Sequence, residues 1–253
     1  AREQHELVVM AAAEVDRDWT PLLERVGRAA GVTLKLQLAP NIPRFEADLL
    51  AGGPDLAYMN PYHQVMARRA QGYVPLVRER KPLTGILVVR KDDPIRSVQE
   101  LNGRELAFPA PNAFGASLLM RALLAEREKI AFTPVYVQTH SNVYRQVIRG
   151  KNIAGGGVNH TLLQERDEVR ADLRVLLETP GAAPHPLSAH PRVPAKVQKA
   201  VAESLLHLAS DAAGRALLAA IEMPSPVAAD HATDYQPLEA WQLDKYVVVS
   251  KAA

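Results

Sequence analysis

The amino-acid sequence predicts an α/β protein that is divided into two lobes. Strand-like and helix-like segments alternate from residue 6 to residue 90, and a second alternating series begins near residue 104. Alternation of this kind is typical of mostly parallel sheets that are covered by helices. The chain has 253 residues, 47% of them apolar, which is enough for one large core or for two lobes of about 120 residues each.

Composition excludes several classes of partner and site. Thirty Lys and Arg against 28 Asp and Glu leave a net charge of +2 with no run of five like charges, so nucleic acid and membrane surfaces are not expected partners. Zero cysteines exclude disulfides, thiolate nucleophiles and Cys-ligated metals. No metal-binding or nucleotide-binding motif is present, so we expect no cofactor. No apolar stretch approaches the roughly 18–20 residues of a membrane span, and the charged residues 1–6 indicate that any export signal has been removed.

The first lobe is predicted from capping residues and periodicity. A strand over 7–10 precedes a helix in which Thr20 is the expected N-cap, Pro21 the first helical residue and Gly31 the stop. Apolar and polar residues alternate over 32–38, which predicts a strand with one buried face. The other segments predicted here are a helix over 42–51, a strand over 55–59, a helix over 61–72 and strands over 73–77 and 84–89.

The second lobe is predicted in the same way. A capping box at residues 97–100 starts a short helix, and a long helix is expected over 113–128. The other segments are strands over 104–108, 132–137, 153–158 and 173–177 and helices over 142–148 and 161–169.

The remainder of the chain returns to the first lobe in this prediction. Five prolines between residues 178 and 194 exclude regular helix and favour an extended crossing. Helices over 195–210 and 212–221 and a packed segment over 235–246 follow. We therefore assign residues 1–80 and 187–253 to the first lobe and residues 81–186 to the second, with two crossings between them.

Candidate binding residues follow the strands, because open α/β sheets bind ligands beyond the carboxyl ends of their strands. The first junction carries Tyr58, Asn60 and Tyr62, which offer neutral donors at a helix start. An alternative is that these rings only fill the core.

The second junction consists of small residues that open the long helix. Exposed backbone N–H groups at a helix start form a site for an anion. The alternative is an Asn-capped helix that packs on the sheet, and a phosphate-binding P-loop is excluded because no Gly-Lys-Ser/Thr ending is present. The candidate residues are Asn112, Ala113, Phe114, Gly115, Ala116 and Ser117.

Histidines mark the remaining candidates. His140, Ser141 and Asn142 form a third junction, in which a histidine and neutral donors could bind an oxyanion. Asn159, next to His160, is a fourth, and His185 lies in the proline-rich crossing. Each histidine is alternatively a cap or a surface group, and His140 or His160 is alternatively the general base of a small-molecule enzyme.

Glycines 155–157 lie within a strand-like run. We therefore expect them to permit close backbone approach and not to bind a nucleotide.

Four segments together resemble the PhnD-like phosphate, phosphite and phosphonate substrate-binding proteins of ABC transporters. They are PDLAYMNPYHQVMA (54–67), ILVVRKDDPIRSVQELNGRELAFPAPNAFGASLL (86–119), THSNVYRQVIRG (139–150) and GGGVNHTL (155–162). The resemblance implies a periplasmic or lipid-anchored protein of the type II-like two-lobe fold. It further implies hinge closure on a ligand in the cleft between the lobes and no catalysis.

The resemblance also implies roles for the junctions. The segment 57–62 contributes an aromatic hydroxyl, the segment 112–117 contributes backbone N–H groups and hydroxyls, and His140 contributes its ring. The expected partners are a small tetrahedral oxyanion and an ABC permease, or alternatively a membrane sensor kinase, with the chain as a monomer.

This chain departs from the family pattern at three places. Small or apolar residues replace a Ser/Thr run over 113–116, and acidic residues are missing near Ile153 and near His185. We therefore expect a smaller or more fully ionised oxyanion, to which His140 or His185 supplies donors. Phosphate, phosphite, methylphosphonate and arsenate all remain open.

Overall fold

In the computed structural model, which describes residues 6–12 and 18–249, strands and helices alternate as the sequence predicts. Residues 1–5, on which the expectation of a removed export signal depends, lie outside the described residues. The strands are β1 (Glu6–Ala12), β2 (Thr33–Ala39), β3 (Leu56–Tyr58), β4 (Val74–Glu79), β5 (Gly85–Arg90), β6 (Arg104–Phe108), β7 (Phe132–Tyr136), β8 (Ala154–Val158), β9 (Leu173–Glu178), β10 (Leu187–Ala189) and β11 (Pro226–Ala228).

The helices follow the same order. A continuous helical segment, here called α4, contains wide π-helical turns in Phe114–Leu119 and Leu123–Arg127 and α-helical turns in Met120–Ala122. The others are α1 (Thr20–Ala30), α2 (Ile42–Leu50), α3 (Pro61–Gln71), α5 (His140–Ile148), α6 (Asn159–Leu163), α7 (Asp167–Ala171), α8 (Ala195–His207) and α9 (Ala212–Ala220).

The chain forms two compact units. Unit 1 contains Ala1–Pro82 and Ala183–Glu239, and unit 2 contains Leu83–Ala182 and Ala240–Ala253. Each unit has its own sheet with helices packed on it, so the predicted two-lobe α/β class is confirmed.

The sheet of unit 1 has the strand order β11-β4-β10-β3-β1-β2. β1 is parallel to β2 and β3, whereas β10 is antiparallel to β3 and β4. β2 lies at the edge of this sheet, and for that reason the predicted buried face of β2 is only partly covered. Leu38, in this strand, is 52% exposed.

The first helix confirms one predicted cap and corrects another. Gly31 ends α1 in the left-handed conformation at φ 73°, as a glycine stop predicts. Thr20, however, lies inside the helix, and Trp19 occupies the N-cap position without a side-chain cap hydrogen bond. Pro21 still falls in the first turn, where its missing N–H costs nothing.

The sheet of unit 2 has the strand order β7-β6-β8-β5-β9. β6 runs parallel to β7 and β8, and β5 runs antiparallel to β8 and β9. Three strands of this unit therefore end at the same edge of the sheet, and each is followed by a helix.

The predicted helix over 161–169 is wrong in detail. Two short helices occupy this region, because Arg166 adopts an extended conformation at φ −60° and ψ 153°. Asp167 and Glu168 then begin α7, where acidic side chains favour a helix start.

The C-terminal segment 240–249 packs within unit 2, whereas the sequence analysis placed it in the first lobe. Arg121 Nη2 donates to the carbonyl oxygens of Pro111 and Tyr246 at 2.7 Å each, and the Arg127 guanidinium lies 4.1 Å from the Trp241 ring centre. The chain consequently passes between the units at 82/83, 182/183 and 239/240, which is one crossing more than the two that were predicted.

Candidate functional site

In unit 1, the carboxyl end of β3 lies beside the segment that enters β10. Tyr58 pairs with Leu187 across the antiparallel β3–β10 ladder, and the N–H of Met59 donates to the Pro186 carbonyl oxygen at 3.2 Å. This pairing brings two candidates together, Tyr58 from the first junction and His185 from the proline-rich crossing.

Three rings form what we call the aromatic edge of unit 1, namely Trp19, Tyr58 and His185. The centres of the Tyr58 and His185 rings are 5.5 Å apart with a 25° interplanar angle, and the Trp19 and Tyr58 ring centres are 5.1 Å apart. Tyr58 is 8% exposed and is also part of the unit 1 core, as the alternative interpretation of its ring held.

Trp19 was missed by the sequence analysis. Its indole is buried, and its Nε1 has no hydrogen-bond partner among the described residues. The available signal was its position directly before the first helix, which places it at the carboxyl end of the sheet near Tyr58.

The other candidates of the first junction lie at the start of α3. The side-chain oxygen of Asn60 accepts the His63 N–H at 2.8 Å, so this oxygen caps the helix. Tyr62 lies in the first turn and is half-buried. Asn60 therefore has a structural role that the sequence analysis did not assign to it.

In unit 2, the second, third and fourth junctions lie at one edge of the sheet. We call this region, the N-terminal turns of α4, α5 and α6, the polar edge of unit 2. α4 follows β6, α5 follows β7 and α6 follows β8, and these three strands are parallel neighbours. The N–H of Val137 donates to the Phe108 carbonyl oxygen at 2.9 Å, which joins the ends of β7 and β6.

The start of α4 is held against the sheet by glycines. A Cβ on Gly156 would lie 2.2 Å from the Ala116 carbonyl oxygen, and a Cβ on Gly115 would lie 2.9 Å from Val158 Cγ1. Gly155 and Gly157 likewise face Val143 and the Tyr144 hydroxyl too closely for a side chain. The prediction of close backbone approach is therefore confirmed at Gly156, whereas Gly155 and Gly157 leave room for side chains of α5.

The first turn of α4 offers backbone donors. The Ser117 N–H donates to the Ala113 carbonyl oxygen at 3.1 Å. The N–H groups of Phe114, Gly115 and Ala116 precede this bond, so no carbonyl of the helix is available to them. The ring of Phe114 is buried, and so it contributes to the core of unit 2.

Two candidates near α4 make hydrogen bonds to the backbone. The Ser117 hydroxyl donates to the Ala110 carbonyl oxygen at 2.7 Å. The Asn112 side chain donates to the Val248 carbonyl oxygen at 2.8 Å and accepts the Val248 N–H at 2.9 Å. Asn112 therefore holds the C-terminal segment in place, which no local sequence signal revealed.

His140 is the first residue of α5, and Thr139 caps this helix. His140 Nδ1 lies 3.1 Å from the Thr161 hydroxyl. Burial and, as the smaller cause, the nearby His160 lower the pKa of His140 from 6.5 to about 4. His140 is consequently neutral near pH 7.

The remaining candidates of unit 2 are engaged within the fold. The Ser141 hydroxyl donates to Glu165 at 2.6 Å, and the Asn142 amide donates to the Val137 carbonyl oxygen at 2.8 Å. The Asn159 N–H donates to the Thr84 carbonyl oxygen at 3.0 Å and so extends the β5–β8 ladder. Within the third junction, the Ser141 and Asn142 side chains are thus occupied by protein groups.

Among the described residues, no group of three or more His, Asp or Glu side chains is placed to hold a metal ion. None of the described helices combines the length and the apolar character needed to cross a membrane.

Comparisons with known proteins agree on one fold. The model of the family described as "ABC transporter, phosphonate, periplasmic substrate-binding protein" matches residues 8–235. No curated protein sequence matches the chain.

Two of the most similar solved structures confirm the two-lobe fold. XAC2383 from Xanthomonas citri bound to ATP superposes with a TM-score of 0.82 at 18% identity, covering 97% of this chain and 100% of that chain. PhnD1 from Prochlorococcus marinus in complex with methylphosphonate superposes with a TM-score of 0.76 at 16% identity, covering 95% and 98%. The type II-like binding-protein fold, which the sequence resemblance implied, is therefore confirmed.

Proposed function

Since the chain belongs to the family of periplasmic phosphonate-binding proteins of ABC transporters, we propose that it binds a small tetrahedral oxyanion for delivery to a membrane permease. Proteins of this family are substrate-binding components and not enzymes, and they work outside the cytoplasm. We propose the identity of the ligand and the residues that bind it.

The observation that carries the proposal is the convergence of three helix starts at the polar edge of unit 2. The N–H groups of Phe114, Gly115 and Ala116 have no acceptor in their own helix, and the positive end of the helix dipole adds to their attraction for an anion. Hydrogen bonds to a charged group contribute roughly 1.5–3 kcal/mol each. Binding also costs free energy, because the ligand and the contacting side chains lose freedom of motion. Three or four such bonds are still sufficient for affinity in the micromolar range, a binding free energy of about −8 kcal/mol.

The aromatic edge of unit 1 supplies the second half of the proposed site. Tyr58 and His185 stack at the carboxyl end of β3, where ligands of α/β sheets bind. We propose that these rings and Tyr62 contact the ligand in a cleft between the lobes, and that the ligand is phosphate, phosphite, a phosphonate or arsenate. The related PhnD1 holds methylphosphonate, which makes this compound the first to test.

The partner is proposed to be an ABC permease, which receives ligand from a monomeric binding protein. A membrane sensor kinase is the alternative partner. Sedimentation of ligand-free and ligand-bound protein as a single species of 27.7 kDa would support the monomer, whereas a concentration-dependent dimer would contradict it.

Isothermal titration calorimetry of ligand-stripped protein tests the function. We expect saturable one-to-one binding of at least one of methylphosphonate, phosphate, phosphite and arsenate. His140→Ala and Tyr62→Phe are expected to weaken binding at least tenfold, each by removing a ring nitrogen or a hydroxyl near the ligand. His207→Ala replaces an exposed histidine of α8 and is the matched control.

Two outcomes of the same titrations would contradict the proposed function. Absence of binding by all four oxyanions would overturn the proposed ligand class. Unchanged affinity in both His140→Ala and Tyr62→Phe would overturn the proposed site while leaving the ligand class intact.

A further inference from the structure

The Thr161 hydroxyl is the centre of a small hydrogen-bond network in unit 2. Its Oγ1 lies 2.7 Å from the Tyr144 hydroxyl, 3.0 Å from the Val158 carbonyl oxygen and 3.1 Å from His140 Nδ1. The Val158 N–H, at 3.4 Å, makes the longest contact of the four. Neither Thr161 nor Tyr144 was a candidate in the sequence analysis.

Counting hydrogens assigns the direction of the three short contacts. A carbonyl oxygen carries no hydrogen, so the single hydrogen of the Thr161 hydroxyl belongs to the contact with Val158. Thr161 then accepts from its other two neighbours, and the Tyr144 hydroxyl donates to it. The Tyr144 hydroxyl also lies 3.5 Å from the Val158 carbonyl oxygen, but only donation by His140 through Nδ1–H gives each of the three short contacts a hydrogen.

The second ring nitrogen of His140 is left as an acceptor. A neutral imidazole carries one N–H, so a proton on Nδ1 leaves a lone pair on Nε2. Among the hydrogen bonds of the described residues, the one made by the His140 ring goes through Nδ1, which leaves Nε2 for a ligand.

The surroundings of the ring keep it neutral. Burial and the neighbouring His160 both lower the pKa of His140, to about 4. Tyr144 is buried and its pKa is raised to about 12, so it remains a donor at neutral pH. Glu165, the carboxylate in this region, accepts the Ser141 hydroxyl at 2.6 Å.

We propose that Thr161 is a positioning residue that fixes the Nδ1–H tautomer of His140, so that Nε2 accepts a hydrogen bond from a ligand that carries an acidic proton. This inference rests on the proposed function, and it defines the ligand as an oxyanion that still carries an acidic proton, such as hydrogen methylphosphonate or hydrogen phosphate. It reverses the expectation from the sequence that His140 donates to a more fully ionised ligand. A fully deprotonated anion would face a lone pair, which repels it.

Nuclear magnetic resonance of ligand-free protein labelled with 15N-histidine tests the tautomer directly. We expect His140 to carry its proton on Nδ1 at pH 7 and to keep this pattern in Thr161→Ser, which retains the hydroxyl. Thr161→Val should give a mixture of both tautomers. A proton on Nε2 in the wild-type protein would overturn the inference, whatever the protein binds.

Calorimetry over pH 5.5–9 tests the consequence for the ligand. The affinity for methylphosphonate should fall about tenfold per pH unit above the ligand's own second pKa, because only the monoprotonated fraction is competent to bind. Sulfate, which has the same shape but no proton in this range, should bind at least 100-fold more weakly than phosphate at pH 6.

Variants of Thr161 show in the same experiment whether its hydroxyl positions His140 or only supports the fold. Thr161→Val should flatten the pH dependence and reduce the preference for phosphate over sulfate to a few-fold, whereas Thr161→Ser should restore both. Thr133→Val, at an exposed position of β7, is the matched control and should behave as the wild type. Equal binding of phosphate and sulfate by the wild-type protein would overturn the proton selection but leave oxyanion binding in place, whereas absence of all binding would overturn the proposed function.

Discussion

The two units present different chemistry at the carboxyl ends of their strands. The aromatic edge of unit 1 consists of stacked rings, Trp19, Tyr58 and His185. The polar edge of unit 2 consists of backbone N–H groups and one neutral histidine held by a hydroxyl network. Rings tolerate ligands of varied shape, whereas fixed donors and acceptors require particular positions and protons. We therefore expect the polar edge to be the part of the proposed site that selects the ligand's charge state.

The units also differ in how these edges are packed. Large side chains fill the space at the aromatic edge, and Trp19 is only 2% exposed. At the polar edge the backbones of α4 and β8 are in direct contact, since Gly115 and Gly156 leave no room for a side chain. Substitutions that enlarge Gly115 or Gly156 at the polar edge should consequently displace backbone.

Gly156→Ala is expected to have the largest effect. The added methyl group would lie 2.2 Å from the Ala116 carbonyl oxygen and 2.8 Å from Phe108 Cδ1, so α4 must move away from the sheet. We expect the free energy of unfolding, measured with urea, to fall by about 3 kcal/mol, and oxyanion binding to be lost with it.

Gly31→Ala in unit 1 is the matched control for Gly156→Ala. Nothing lies within 4 Å of a Cβ on Gly31, so the cost is limited to its left-handed backbone at φ 73°, about 1 kcal/mol. Equal losses in the two variants would show that close packing at the polar edge is not what makes Gly156 necessary.

Arg121→Met is expected to have an intermediate effect on unit 2. Arg121 is 6% exposed, and its two 2.7 Å hydrogen bonds join the turn at Pro111 to the C-terminal segment at Tyr246. Methionine preserves the length of the side chain but leaves both carbonyls without this donor, which should cost about 1–2 kcal/mol. Faster proteolytic cleavage after residue 240 would report the release of the segment.

Arg25→Met in unit 1 provides the comparison for Arg121→Met. The Arg25 side chain is 32% exposed and pairs with Asp211, whose side chain is 44% exposed. Water screens such a pair, so we expect only a small change in stability and no new cleavage. A larger loss in Arg25→Met than in Arg121→Met would contradict the view that burial determines the contribution of these arginines.

The sequence was sufficient to predict features that depend on neighbouring residues. The glycine stop at Gly31, the capping box at 97–100 and the strand–helix junction at Tyr58 are local patterns, because caps and periodicity involve residues within a few positions of each other. The order of the elements then placed three junctions at one edge of unit 2.

Contacts between distant residues were beyond the sequence analysis. Asn112 pairs with Val248, 136 positions away, so its polar groups are occupied by a segment that was assigned to the other lobe. Thr161 was predicted only as a helical residue, and its role depends on the return of β8 beside α5. The residue type indicates which groups a side chain can bind. The fold determines which of those groups lies close enough to bind it.

The smallest predicted effect is a difference in how low pH changes the stability that each unit gains from one titrating side chain. The pKa of His140 in unit 2 is lowered from 6.5 to about 4, so the unfolded chain takes up a proton before the folded one does. The stability associated with His140 is present above pH 6.5 and is lost as the pH falls from about 6.5 to about 4. In unit 1, a side-chain hydrogen bond from Arg25 and the Gly214 N–H lower the pKa of Asp211 from 3.8 to about 2, so its contribution is lost only between about pH 4 and pH 2.

Urea unfolding of two variants at pH 7, 5 and 3 measures this difference. The stability difference between the wild type and His140→Gln should shrink between pH 7 and pH 5, because glutamine does not titrate. The difference between the wild type and Asp211→Asn should be constant between pH 7 and pH 5 and should shrink at pH 3. If the His140→Gln difference were the same at pH 7 and pH 5, the ring would titrate alike in the folded and unfolded chains, and the neutral histidine of the polar edge would lose its physical basis.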